Sequence, residues 1–256
     1  MASNNLVFKE IEASSLRDKV VAALKDAFFS QQLKPGDVIV ERQLAQQMNI
    51  GSPAVREALI TLQEQGFVRR VANVGTYVTK FTAEEVRELY TLRVELETLA
   101  FQWAKSRVTE SDLCDLDKLV DRLVEAGEHG SSREFIERDQ EFHRRCWVLS
   151  GNQFLATTLE RLMIPVFVFV PLASGVRLTA FMAREHYNLV NALRNLQEPA
   201  FSSVVRNTIT GFAFRWISAT ASTGGDYRLN HAQALIADLN EKHKCRVTDL
   251  DPAVAA

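Results

Sequence analysis

An aspartate and two histidines are the residues in this sequence whose types and spacing point to chemistry. Asp139 and His143 are four residues apart in a segment with helical periodicity, so both side chains project from one face of a helix. His186 opens a later helical segment. One carboxylate and two imidazoles can bind a divalent cation such as zinc and leave positions open for another ligand. The alternative is a hydrogen-bonded polar cluster without metal, since histidines are often buried in that way.

The segments that must position these residues are helical. Thr82-x-x-Glu85 predicts a capping box, and helical periodicity without strand alternation follows it. The predicted helices are 82–106, 109–126, 132–149, 153–169, 181–196 and 199–218. They indicate an antiparallel helical bundle, whose interior is a usual place for a ligand or a metal. The apolar segment 163–172 has two prolines that are expected to break helical pairing. It is predicted to be bundle core or a dimer contact, with a pocket wall as the alternative.

A different motif lies nearer the amino terminus. Residues 41–66, ERQLAQQMNIGSPAVREALITLQEQG, predict two short helices joined by a tight turn at Gly51. Ser52 and Pro53 are suited to a helix start, and Gly66 to a helix stop. This is the plan of a helix-turn-helix, in which the second helix, about 53–65, enters the DNA major groove.

A predicted hairpin follows the second helix. Residues 67–71 and 76–79 are β-rich and are separated by a short turn, which indicates a wing. Arg56, near the start of the recognition helix, is predicted to contact guanine N7 and O6. The residues predicted to meet phosphates or the minor groove are Arg42, Ser52, Arg69, Asn73 and Gly75, with Pro53 beginning the helix.

Composition and charge are those of a two-domain globular protein. The chain has 256 residues and a net charge of −2, but residues 1–81 have ten basic and eight acidic residues. Three scattered cysteines indicate neither a disulfide framework nor a zinc-cysteine site. No signal peptide is recognisable, and the apolar run 164–170 is too short to span a bilayer, so a cytoplasmic protein without a membrane partner is predicted.

The predicted organisation is mainly α, in four parts. An arm (1–14) precedes a winged helix-turn-helix domain (15–81), and a helical effector-binding and dimerisation domain (82–220) follows. Residues 221–256 are assigned to a linker, an extra helix and a tail.

These motifs resemble a known family. The stretches LKPGD (33–37), ERQLA (41–45), VREAL (55–59) and GTYV (75–78) are similar to the amino-terminal domain of GntR-type transcription regulators. Glu88, Tyr90, Arg93 and Glu97 resemble the opening helix of the FadR-type ligand-binding domain, called FCD. The resemblance implies a DNA-binding regulator. It also implies a metal site, since many FCD domains bind metal through an Asp or Asn and three histidines.

Two departures from the family pattern affect the predicted sites. The family usually has an arginine just before the recognition helix, where this chain has Gly51-Ser52. The position that corresponds to the third histidine falls on Thr208, beside Asn207, which could offer a weak carbonyl ligand. Arg206 is predicted to supply anion-binding charge there. Arg93 is predicted to clamp an effector carboxylate, or else to pair with Glu97 one turn on.

Three functions are consistent with these features. The favoured one is a dimeric repressor that binds operator DNA and is released by a small organic acid. A regulator that responds to the metal ion itself is the second. A metal-dependent enzyme built on Asp139, His143 and His186 is the third. It is disfavoured because the chain has no HExxH motif, nucleophile elbow or phosphate loop.

Overall fold

The computed structural model describes residues 16–71, 74–175 and 177–222. The chain divides into two compact units between Val78 and Thr79. Within the described residues there are ten α-helices and three β-strands, which confirms the predicted mainly α fold. The predicted arm and nearly all of the predicted carboxy-terminal part lie outside the described residues. The proposed domain limits therefore stay predictions.

The first unit has three helices and a small sheet. Its elements are α1 (Leu16–Phe29), β1 (Val38–Ile39), α2 (Glu41–Gln47), α3 (Ser52–Glu64), β2 (Val68–Val71) and β3 (Gly75–Val78). The strands are antiparallel in the order β1-β3-β2. Val68 is paired with Val78, and Val71 with Gly75, so β2 and β3 form the predicted hairpin. β1 joins this hairpin by pairing with β3.

The turn between α2 and α3 differs in detail from the prediction. Asn49 has the left-handed backbone conformation, with φ of 52°. Gly51 instead has extended angles and is the N-cap residue of α3. Because Ser52 is already the first helical residue, its side chain does not cap the helix as predicted. Asparagine tolerates positive φ better than most residues, which explains how it makes the turn. Gly66, with φ of 76°, follows the last turn of α3, as predicted.

The core of this unit forms between α1, α3 and the sheet. Leu24 and Phe28 of α1 and Leu59 of α3 are at most 1% exposed. Phe28 stacks on Phe67, with ring centroids 5.9 Å apart. Full burial of one such side chain contributes about 1.5–3 kcal/mol, so this packing fixes how α3 is presented to solvent.

The second unit consists of helices only, within the described residues. They are α4 (Ala83–Lys105), α5 (Glu110–His129), α6 (Ser132–Leu149), α7 (Gln153–Ser174), α8 (Ala180–Arg184), α9 (His186–Asn195) and α10 (Ala200–Ser222). The predicted capping box of Thr82 and Glu85 begins α4. The predicted helix 181–196 is divided at Glu185 into α8 and α9. The backbone angles of Glu185 stay near helical (φ −62°, ψ −23°), so the interruption of the helix is local.

Helix α7 extends beyond the predicted helix 153–169, and neither proline of segment 163–172 ends it. α7 continues through Pro165 and Pro171 and stops at Gly175, which has left-handed angles. Proline removes one backbone donor, but Val166, Val168 and Phe169 are almost fully buried there. The burial of these large side chains outweighs the lost hydrogen bonds.

Helix α7 is much longer than the apolar run 164–170 on which the prediction about membranes was based. By length and hydropathy, Gln153–Ala173 could cross a bilayer. Most of that segment is buried inside the unit, as expected for a core helix. Packing, and not insufficient length, is therefore what distinguishes α7 from a membrane span.

Candidate functional sites

The exposed face of α3 is the first candidate site. Val55, Leu59 and Leu62 are fully buried, so the opposite face of the helix meets solvent. The side chain of Arg56 is 61% exposed. Near the amino end of such a helix, an exposed arginine has the reach and the donors to contact a guanine edge.

The other residues predicted to contact DNA belong to the same unit. Three of them that the structure describes are exposed to solvent: Arg42, Pro53 and Arg69. Ser52 and Gly75 are partly exposed. Asn73 lies outside the described residues. DNA contact by all of them stays a prediction.

The sequence did not indicate the residue that joins two of the arginines. Glu41 Oε2 lies 3.2 Å from Nε of Arg56, and Glu41 Oε1 lies 2.7 Å from Nη2 of Arg70. Glu41 is the first residue of α2, whereas Arg70 belongs to the wing strand β2. These partners are 15 and 29 positions from Glu41, a separation at which no periodicity can signal a contact.

The second candidate site is a cavity in the helical unit, with about 30 Å³ of free space. Its walls are mostly apolar or aromatic, with a few polar groups from α4, α6 and α9. The lining residues are Tyr90, Arg93, Phe135, Ile136, Asp139, Phe167, Pro171, Leu178, Met182, His186 and Phe212. A few convergent polar groups in apolar walls are the usual composition of a small-molecule site.

The structure brings Asp139, His143 and His186 together. One ligand atom from each lies within 4.8 Å of the others. The Nε2 atoms of His143 and His186 are 3.3 Å apart, and Asp139 Oδ1 is 3.0 Å from Nε2 of His186. Helix α6 provides the first two residues one turn apart, and α9 begins with the third.

The groups behind the two imidazoles direct their Nε2 atoms toward each other. Nδ1 of His186 lies 3.0 Å from the Ala183 carbonyl oxygen, to which it can donate. Nδ1 of His143 lies 3.1 Å from Glu97 Oε1, at an angle too poor for a strong hydrogen bond. With protons on both Nδ1 atoms, the two Nε2 lone pairs and a carboxylate oxygen of Asp139 lie close together, although Arg93 Nη2, 3.2 Å from Nε2 of His143, can donate to the lone pair of that atom. That donor set fits a divalent cation, and such backing of histidine ligands is typical of metal sites.

Arg93 and Glu97 form a buried ion pair beside the cluster. Arg93 Nε donates to Glu97 Oε2 over 3.0 Å, and their side chains are 2% and 0% exposed. Arg93 Nη2 lies 3.2 Å from His143 Nε2. The guanidinium carbon is 4.4 Å from the Phe167 ring centroid, which stacks the cation on the apolar wall. Arg93 therefore pairs with Glu97, as the predicted alternative stated, and it also lines the cavity.

Burial and neighbouring charge together set the protonation states here. Burial raises the pKa of Glu97, but the neighbouring Arg93 guanidinium outweighs this effect, so the pKa is about 2. Burial also lowers the pKa of His143, against the opposing effect of Glu97. Burial raises the pKa of Asp139, yet its contacts with His186 and His143 leave it below the ordinary value. At neutral pH the site therefore holds two carboxylates, one guanidinium and a neutral His143.

The other residues predicted to bind an effector lie elsewhere on α10. Arg206 forms a two-point ion pair with Glu95 of α4, at 2.9 and 3.0 Å. Thr208 donates to the Val204 carbonyl oxygen, within its own helix. Neither these two nor Asn207 is among the residues that line the cavity. One turn beyond Thr208, Phe212 stacks on His186 with ring centroids 4.6 Å apart.

Both units match described protein families. Residues 16–78 match the family "Bacterial regulatory proteins, gntR family", and residues 88–211 match the FCD domain. Together these ranges contain the exposed face of α3, the wing and most of the cavity lining.

Relatives of known description agree with these matches. The Nta operon transcriptional regulator of Aminobacter aminovorans is 35% identical over 133 residues, which is 51% of this chain and 62% of the relative. The HTH-type transcriptional repressor RspR of Escherichia coli K12 is 26% identical over 170 residues, 63% of this chain and 72% of the relative. The first of these matches thus spans less than two thirds of the relative's length.

A solved structure has the same fold. The E. coli protein McbR/YncC superposes with a TM-score of 0.60 at 22% identity, covering 90% of this chain and all of that one. At this identity the likeness concerns the fold alone.

Proposed function

Because this chain belongs to the GntR family of transcription regulators and has an FCD domain after its DNA-binding domain, we propose that it is a dimeric repressor of the bacterial cytoplasm. It binds operator DNA through the winged helix-turn-helix and releases it when a small carboxylate enters the helical cavity. The observation behind the proposal is that the Arg93–Glu97 pair and the Asp139, His143 and His186 cluster adjoin an apolar cavity, which Arg93, Asp139 and His186 line. The family and the relatives are regulators, so the enzyme hypothesis is set aside.

DNA recognition rests on the exposed face of α3. Arg56 contacts a guanine edge, and Arg42, Ser52 and the wing residues contact the backbone of the duplex. A two-fold dimer of such domains reads two half-sites of a palindrome. The local charge supports this, since residues 1–81 have two more basic than acidic residues while the whole chain has a net charge of −2.

The effector is assigned from the charges of the cavity. Glu97 and Asp139 contribute two negative charges and Arg93 one positive charge, so these three groups alone disfavour an anion. The Asp139, His143 and His186 donors fit a divalent cation, which when bound supplies positive charge and an open position for a carboxylate oxygen. Arg93 lies beside that position and orients the acid. The small free volume and aromatic walls favour a short acid with an apolar part.

Release from DNA then follows by a shift of population. An acid that binds one conformation of the dimer more tightly than another shifts the population toward it. The factor by which bound acid lowers the affinity for DNA equals the factor by which bound DNA lowers the affinity for the acid. Coupling of about 1–3 kcal/mol gives a 5–150-fold change in affinity. The metal-responsive regulator is the second candidate, and the convergent Nε2 atoms favour it because they would hold an ion without any acid.

The test is fluorescence anisotropy on the protein's own upstream DNA and on scrambled DNA, across a salt series. A preference for the upstream fragment, weakened by salt, supports the proposal. Short carboxylates are then added with and without zinc. Loss of operator affinity only with the acid supports metabolite sensing, whereas the same loss with zinc alone supports the metal-responsive alternative. Equal affinity for both DNAs under every condition would contradict the proposed function.

A further inference from the structure

Glu41 occupies a central place between the three elements that face DNA in the proposed function. Its carboxylate has two oxygens, and each contacts a different arginine, Arg56 of α3 and Arg70 of β2. The side chain of Glu41 is 22% exposed, while those of Arg56 and Arg70 are 61% and 35% exposed. One partly buried carboxylate therefore connects the first helix of the motif, the recognition helix and the wing.

The geometry at Arg56 leaves its outer donors available. Glu41 contacts Nε, and within the described part of the chain no hydrogen bond engages the two Nη groups of Arg56. A guanine edge presents two acceptors, N7 and O6, to a pair of guanidinium donors. An arginine that is held at Nε keeps one orientation of its fork, so less conformational entropy is lost when the fork meets a base.

The contact with Arg70 extends the same restraint to the wing. β2 is an edge strand that is paired with β3 alone, so its backbone is held from one side. The bridge to Glu41, at 2.7 Å, ties β2 to the start of α2 from the other direction. Arg70 thereby acquires a set position relative to Arg56, although the two are 14 positions apart in sequence.

Stability does not account for this arrangement, because ion pairs that are this exposed contribute little to folding. The negative charge of Glu41 also opposes phosphate binding, so the residue reduces general affinity for DNA. The carboxylate of Glu41 therefore lowers the overall affinity for DNA but fixes the positions of two arginines, an effect that favours discrimination between DNA sequences.

We propose that Glu41 is a positioning residue for sequence recognition, which orients Arg56 for a base contact and holds Arg70 in the wing. The inference rests on the proposed function, since it requires an operator. Glu41→Gln, which keeps the size of the side chain and removes its charge, should lower the preference for operator over scrambled DNA about tenfold. Affinity for scrambled DNA should rise, with a steeper salt dependence from the two released arginines.

The experiment compares Glu41→Gln with Glu57→Gln by anisotropy on operator and scrambled DNA. Glu57 is an exposed glutamate next to Arg56, and its carboxylate has no ion pair with the described residues, so it controls for the loss of one charge. Both variants are also made in an Arg56→Ala background. If Glu41 acts through Arg56, Glu41→Gln should change the operator preference much less in that background.

Three results decide the matter. A selective loss of preference in Glu41→Gln that disappears without Arg56 supports the inference. Equal behaviour of Glu41→Gln and Glu57→Gln, or an equal loss with and without Arg56, would overturn it while the proposed function stands. If the unaltered protein did not distinguish operator from scrambled DNA, the proposed function would fail, and the inference with it.

Discussion

The Nε2 atoms of His143 and His186 lie 3.3 Å apart, each backed by an acceptor near its Nδ1 atom. Two nitrogens bound to one tetrahedral zinc ion at about 2.05 Å would be separated by about 3.4 Å. The 3.3 Å spacing fits two ligands of one ion, as proposed. It also fits an N–H···N hydrogen bond between the two rings in a cluster without metal.

Metal binding should depend on this pair. The purified protein is expected to retain about one zinc ion per chain after dialysis, and His186→Ala should weaken zinc affinity at least tenfold. Isothermal titration and elemental analysis measure both. His129→Ala is the matched control, because the His129 side chain is 80% exposed at the end of α5. Retention of zinc by His186→Ala at the wild-type level would contradict the assignment.

Removing Arg93 should destabilise the helical unit. Arg93→Met leaves the Glu97 carboxylate buried without its guanidinium partner. Loss of one partner of a buried ion pair lowers the free energy of unfolding by about 3–5 kcal/mol. Urea denaturation measures the change in the free energy of unfolding. The double variant Arg93→Met with Glu97→Gln should recover much of the loss, since it buries no unpaired charge and its amide oxygen can still accept from Trp147 Nε1. A double variant that is no more stable than Arg93→Met would argue against this explanation.

Arg56→Ala should abolish most of the preference for operator DNA. A lost bidentate base contact costs about 1–3 kcal/mol, while binding to scrambled DNA should fall only slightly. Anisotropy titrations on both DNAs give the two affinities. Circular dichroism provides the folding control, because Arg56 lies outside the buried stripe of α3. Equal losses on both DNAs would make Arg56 a phosphate contact instead.

The capping box of α5 should make stability sensitive to acid. The hydrogen bonds of Asp112 with Thr109 lower the pKa of that carboxyl below its ordinary value. A group with a lowered folded-state pKa stabilises the protein above its unfolded pKa, and this contribution is lost as pH falls through the folded value. Asp112→Asn should therefore lower the melting temperature more at about pH 7 than at about pH 3.

Differential scanning calorimetry at both pH values measures this difference. Asp115→Asn is the control, since Asp115 lies on the same helix and pairs only with the exposed Lys118 among the described residues. An equal loss of melting temperature at both pH values for Asp112→Asn would contradict the role of its charge.

Local patterns explain what the sequence predicted correctly. The helix-turn-helix, the wing and the capping box at Thr82 each depend on residues within a few positions of one another. The grouping of Asp139 with His143 followed from helical spacing, and the Arg93–Glu97 pair was an open alternative for the same reason.

Contacts over long separations could not be predicted in this way. Arg206 pairs with Glu95, which is 111 positions away in sequence. No local pattern could therefore indicate whether Arg206 lines the cavity or pairs elsewhere. The bridge from Glu41 to Arg56 and Arg70 is another such case. The continuation of α7 through two prolines depends on how much surface the helix buries, which only the assembled bundle determines.

The course of α7 has a mechanical consequence. Pro165 and Pro171 have no backbone N–H, so they cannot donate to the carbonyl oxygens four residues earlier. Helix α7 therefore lacks two backbone hydrogen bonds, those to the carbonyl oxygens of Arg161 and Phe167. Helices bend most readily at such points. Phe167 and Pro171 both line the cavity, so its most compliant wall is the one that meets the contents of the cavity. If the cavity takes up a molecule larger than its present free space, we expect α7 to bend before the other helices that line it.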